Sequence, residues 1–248
     1  MSYQQPIVDK VKTKLAALKA SLLSIAGRVQ LIKSVIFSLV TYFMELYSWP
    51  ISLLKTIEKW IRNFLWSGEI NKRKLVTVSW KKVYKPYKKG GLRIRSLICL
   101  NGSFNLKLCW DILHSQQDWA NFLKQRVIRK NKSIRHHIYS SIWTNIKSEY
   151  DTVKENSFWL TVNGSHVQLW EDNWCGEPIL DYFNLNHNDI SNFLVFVKDY
   201  IRNSQWSILD DILIQYPDLR LLANQVTIPT EDCDDMLIWR HNSNGELS

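Results

Sequence analysis

Apolar residues at Leu15, Leu18, Leu22, Ile25, Val29, Ile32, Ile36, Leu39 and Phe43 follow one another in steps of three and four. Only an α-helix brings such positions onto one face, so the first fifty residues are committed to helices that must bury a stripe. Ser24 has the side chain of an N-cap and Gly27 is a poor helix-interior residue, which predicts a break near Ser24 and helices over roughly 6–23 and 25–47. A single coiled-coil helix is the competing reading, although the flanking positions lack the opposed charges that would specify a partner. Trp49-Pro50 ends this unit, and a helix over Ile51 to Trp66 follows, closed by Ser67-Gly68.

Charge then separates the chain in two. Residues 1–150 hold 27 Lys and Arg against 7 Asp and Glu, and residues 151–248 hold 5 against 16. From Ile70 to Trp110 there is no acid in 41 residues, while eleven Lys or Arg alternate with Trp80, Tyr84, Tyr87 and the pair Gly90-Gly91. A face so basic needs a partner that neutralises it, and nucleic acid gives affinity by counterion release without any base being read. The acidic rear half docking on the basic front is the alternative.

Residues 69–95 read as loop with a short strand over Val76, Val78 and Trp80, and Gly90-Gly91 as a tight turn lined by lysines. Helices are expected at Ser96 to Leu113, Asp118 to Lys130 and roughly Ile138 to Val153. Phe158 to Val162 and Ser165 to Trp170, joined by Asn163-Gly164, read as a β-hairpin. Short helices are expected at Ser204 to Gln215 and Asp218 to Ala223, and Met236 to Trp239 as a strand entering a turn at Asn242 to Gly245 with its partner strand missing. The fold class is mainly α, a basic helical bundle over 1–150, with a smaller acidic, Trp-rich α+β part over 151–248 that contains a β-hairpin.

Chemistry beyond binding finds no constellation. Asp210-Asp211 falls on the polar side of a helix whose other face is Trp206, Leu209, Leu213 and Tyr216, and Glu231 to Asp235 lacks the spaced ligands of a calcium loop. His136-His137 sits among basic residues, and the pairs Cys175/His187 and Cys233/His241 fit no closed zinc site. No nucleophile elbow or phosphate loop is present. No catalytic residue, metal or cofactor is therefore assigned. Four scattered cysteines and no signal-type leader point to an intracellular protein, nuclear or cytoplasmic, and Val35 to Met44 is too short an apolar run to span a bilayer.

The residues assigned to nucleic-acid contact are Lys72, Arg73, Lys74, Lys81, Lys82, Lys85, Lys88, Lys89, Arg93 and Arg95 for phosphate, with Trp80, Tyr84 and Tyr87 for stacking. The expected partner is RNA or DNA, an RNA–DNA duplex included, bound with sequence tolerance.

Several motifs together resemble one family: Leu23-Ser24-Ile25-Ala26-Gly27-Arg28, Arg62-Asn63-Phe64-Leu65-Trp66-Ser67-Gly68, Val78-Ser79-Trp80, Gly90-Gly91-Leu92 and Leu169-Trp170-Glu171-Asp172-Asn173-Trp174-Cys175-Gly176. The chain is similar to the region following the polymerase palm in plant non-LTR, LINE-type retrotransposon reverse transcriptases, a group also described as ribonuclease H proteins. It departs from that pattern at Arg93, where a third glycine is usual, at Leu39, where a proline is common, and at Tyr84, where a cysteine is frequent. The resemblance implies a helical thumb that grips the template–primer duplex. It also implies a fragment, cut at the opening of a zinc-binding module near Asp235, Trp239 and Gly245. The palm aspartates and the zinc ligands of such enzymes match no residue here, so no activity carries over. Two alternatives stay open: a structural protein with a dimerising helical half and a self-docking acidic tail, and a degenerate retroelement relic without function.

Overall fold

The computed structural model describes residues 4–18, 22–46, 49–115, 117–129, 132–134, 143–230 and 233–247. The expected features at His136-His137, at Glu231-Asp232 and at the start of the 138–153 helix lie outside the described residues. The chain is mainly α-helical with a small β part, in two compact units: Met1–Leu106 with Tyr139–Ile146, and Lys107–Ile138 with Lys147–Ser248.

In the first unit, α1 (Gln5–Ala17) buries Val8, Val11 and Leu15, spaced by three and four. Helix α2 (Ile25–Leu31) starts where Ser24 caps it, its hydroxyl accepting from the Gly27 amide at 3.2 Å. A π-helical turn, Ile32–Phe37, then leads into α3 (Ser38–Leu46). That turn changes which residues are inside. Sequence spacing places Leu39 and Phe43 on the buried face, whereas the buried line runs Val29, Ile32, Ile36, Val40 and Met44. The wider π turn takes up one extra residue and moves everything after it one position along the stripe. It also joins α2 and α3 into a 20-residue helix, Ile25–Met44, long and apolar enough by length and composition to cross a membrane. Its buried line packs into the core beside α1, and 28% of that apolar stretch is buried.

Helix α4 (Ile51–Ser67) follows Pro50 and ends on Gly68, whose left-handed φ of 83° lets its amide return to the Phe64 carbonyl at 2.9 Å. Both α1 and α2 pack on it. Its face Leu54, Ile57, Ile61, Phe64 and Leu65 is fully buried, worth on the order of 10 kcal/mol before the chain-entropy cost. After α4 the chain does not form the expected strand. Residues 71–79 are exposed and unpaired, and Trp80 opens a short helix, α5 (Trp80–Val83), instead. The alternation of Val76 and Val78 finds no neighbouring strand. Helix α6 (Leu97–His114) begins in this unit, and from Lys107 it belongs to the second.

The second unit continues with α7 (Asp118–Val127), shorter than expected because the chain turns at β1 (Ile128–Arg129) to pair with β2 (Lys132–Ser133). Helix α8 (Trp143–Ile146) returns to the first unit, and α9 (Glu149–Glu155) to the second. Strand β3 (Ser157–Leu160) is where sequence and structure differ most clearly. It pairs not with residues 165–170 but with the last strand, antiparallel, Ser157 opposite Trp239 and Leu160 opposite Met236. The cause is Asp235. Its buried carboxylate accepts from the amides of Val162, Gly164 and His166 at 2.8, 2.9 and 3.0 Å, so the Asn163-Gly164 segment wraps around an anion instead of turning a hairpin. Gly164 has φ 69°, and a Cβ there would lie 2.5 Å from the Lys198 amide nitrogen.

After α10 (Ile179–Tyr182) a hairpin does form, between β4 (Ile201–Arg202) and β5 (Gln205–Trp206), through Asn203 and Ser204. Both turn residues have positive φ, 50° and 56°, the type I′ signature. The expected helix from Ser204 therefore starts only at Asp210, as α11 (Asp210–Gln215), followed by α12 (Asp218–Asn224). Strand β6 (Met236–Trp239) thus has a partner, β3, contrary to expectation. Beyond it the chain turns back, and the Gly245 carbonyl accepts from the Trp239 amide at 2.7 Å. Trp170 and Trp174 are core: Trp170 stacks on Phe193, and Trp174 packs on Trp206 while its Nε1 donates to the Leu169 carbonyl at 2.7 Å.

Asp235→Ala strands three amide donors, two of them fully buried. It is expected to destabilise the second unit by roughly 3–5 kcal/mol, read as a fall in the denaturant midpoint.

Candidate nucleic-acid interface

The basic segment after α4 is shaped by one acid. Glu58, on α4 and buried, accepts from the Ser96 hydroxyl at 3.1 Å and from the Leu97 amide at 2.9 Å. A carboxylate at the first amide of an 18-residue helix meets the positive end of its dipole. Burial, with the Glu58 charge beside it, pushes the Tyr84 phenol up from 10.0 to about 12. Glu58 thus fixes the end of the basic segment, and its charge lies beside Tyr84 in the middle.

Between those points the chain makes the tight turn that the glycine pair foretold. Residues Tyr87–Lys89 form one 3-10 turn, the Lys89 and Gly91 amides both donate to the Pro86 carbonyl, and Gly90 has φ 71°. Gly91 admits no side chain, since a Cβ would fall 1.9 Å from the Lys85 carbonyl oxygen. That carbonyl accepts from the Arg93 amide at 2.9 Å. Arg93 itself has φ 50°, a left-handed conformation that costs a non-glycine residue roughly 1 kcal/mol. The position that departs from the family pattern is thus a position where the backbone calls for glycine.

The structure sorts the assigned residues into three groups. Lys72, Lys81, Lys82, Lys85, Lys88 and Lys89 are exposed along the segment. Arg73, Lys74 and Trp80 line a recess of about 590 Å³ together with Lys59, Arg62 and Trp66, and the Arg62 guanidinium lies 5.1 Å from the Trp80 ring. Tyr87, Arg93 and Arg95 line a second recess, of about 350 Å³, with Lys33, Phe37 and Thr41. Lys33 donates to the Tyr87 hydroxyl at 2.8 Å. Tyr84 is set apart, half-buried beside the Glu58 charge, with its ring edge-on to Trp80. The stacking ring left exposed is Tyr87, 58% accessible.

Lys33, Lys59 and Arg62 are not among the residues assigned from sequence. They sit on helices up to 60 residues from the loop they join. The two recesses together carry seven Lys or Arg and no Asp or Glu.

The second unit offers different chemistry. A cavity of about 390 Å³ is lined by carboxylates with Lys154, Arg240 and His187, whose Nδ1 lies 2.8 Å from Glu171. Another, of about 380 Å³, has Trp159, Gln168 and Lys124 on its wall, the Lys124 amine pushed down by burial. Burial raises the Cys109 thiol to about 12 and that of Cys175 to about 11, so neither is a thiolate nucleophile near neutral pH. Asp210 and Asp211 are exposed in the first turn of α11, where the helix dipole favours them. Among the described residues no three His, Cys, Asp or Glu side chains converge on a point.

Over 98% of its length the chain is 27% identical to a protein of Arabidopsis thaliana described as a putative ribonuclease H protein. It spans 40% of that protein. No family model matches the chain.

Tyr84 gives this frame a pH signature. A phenol held protonated to about 12 in the fold but ionising near 10.0 when unfolded contributes stability that is fully present below pH 10 and lost as pH rises towards 12. Urea unfolding across that window is expected to show a steeper loss for the wild-type chain than for Tyr84→Phe.

Proposed function

We propose that the first unit binds the sugar–phosphate backbone of RNA or DNA without reading its sequence. In this reading it is a non-catalytic, thumb-like part of a retroelement RNA-directed DNA polymerase that grips an RNA–DNA template–primer duplex. The observation that carries it is the pair of recesses flanking the exposed lysines, with seven cations and no carboxylate between them. Self-repulsion on such a face is relieved when phosphates replace bulk counterions, and each phosphate bound releases counterions to solution. Arginines in a recess can hold a phosphate with two parallel bonds, which fixes register as well as adding affinity. Similarity to a plant protein bearing a ribonuclease H name agrees with a nucleic-acid setting.

The test is charge reversal of Lys81, Lys82, Lys88 and Lys89 to Glu, all exposed and outside the core. Fluorescence anisotropy with a labelled RNA–DNA duplex is expected to show affinity falling more than about tenfold at low salt. The salt slope should flatten by roughly 0.9 for each phosphate that the variant no longer neutralises. Unchanged affinity, with the fold intact by circular dichroism, would sink the proposal.

A further inference from the structure

Two irregular backbone sites converge on the smaller recess. Lys33 reaches it from the π turn Ile32–Phe37, and single π turns within α-helices are a frequent mark of functional sites. Arg93 reaches it from a left-handed residue that glycine would occupy without strain. Arg95 supplies a third cation, and no carboxylate lines the space. Beside the cations stands Tyr87, its ring more than half exposed and its hydroxyl held by Lys33 at 2.8 Å. The Arg93 backbone closes the turn by donating to the Lys85 carbonyl, and a glycine there would do so without strain, so the arginine side chain is what the strained position adds.

We propose that this recess seats one unpaired nucleotide, with its phosphate among Lys33, Arg93 and Arg95 and its base against Tyr87. The inference rests on the backbone-binding reading of the first unit and adds a preference to it. Cations alone hold the phosphates of paired and unpaired strands alike. A tyrosine face is different, since a base inside a duplex is already stacked on both sides and only an unpaired one can turn out to meet a ring. A space of about 350 Å³ lies within the size range of pockets that hold small ligands and can take such a unit. The chain should therefore favour a duplex that ends in a single-stranded extension over a blunt one.

The experiment compares the full chain binding two labelled RNA–DNA duplexes, identical except for a short single-stranded extension. The extended duplex is expected to bind roughly tenfold more tightly. Tyr87→Leu, at an exposed position, should lower affinity for the extended duplex far more than for the blunt one. Arg93→Gly should raise the thermal midpoint while reducing the preference, an opposition that a purely structural arginine would not produce. Equal wild-type affinities would overturn the unpaired-nucleotide site while leaving backbone binding standing, as would a Tyr87→Leu loss equal on both duplexes. Failure to bind either duplex would overturn both.

Discussion

One buried carboxylate in a chain half rich in cations organises the segment that carries the basic face. Glu58 is one of only 7 acids in the first 150 residues, and it lies inside, bonded to the Ser96 hydroxyl and the Leu97 amide. Burying a charge is costly unless its lone pairs are met, and here two neutral donors at the positive end of α6 meet them. With that acid turned inward, the segment between α4 and α6 presents cations outward with no carboxylate on its own surface after Ile70.

The second unit repeats the device with a different purpose. Asp235 gathers three amides and so decides which strands pair. In both units a buried acid satisfies backbone donors that would otherwise be stranded, and in the second it overrides what the Asn163-Gly164 dipeptide would do locally.

That long reach separates what is legible in the sequence from what is not. Features set by local chemistry are legible: the Ser24 cap, the α4 stripe with its Gly68 terminus, and the Gly90-Gly91 turn. Features set at a distance are not. Asn163-Gly164 has the turn dipeptide of a hairpin, but Asp235, about 70 residues away, claims its amides, and the I′ turn occurs at Asn203-Ser204 instead. The register of α3 escapes sequence spacing because a π turn leaves no mark in the apolar pattern. Of the site, the exposed lysines and Tyr87 are visible as a cationic run. The recesses are not, since Lys33, Lys59 and Arg62 come from helices, and the sequence gives no sign that Tyr84 is half-buried beside Glu58.

The central claim, a surface built for polyphosphate, is tested most directly by the salt dependence of binding. The account predicts that the affinity of the unmodified chain for an RNA–DNA duplex falls linearly in log–log coordinates with added salt. The slope should correspond to several phosphates neutralised, and change little with duplex sequence. An affinity independent of salt, or none at low salt, would contradict it.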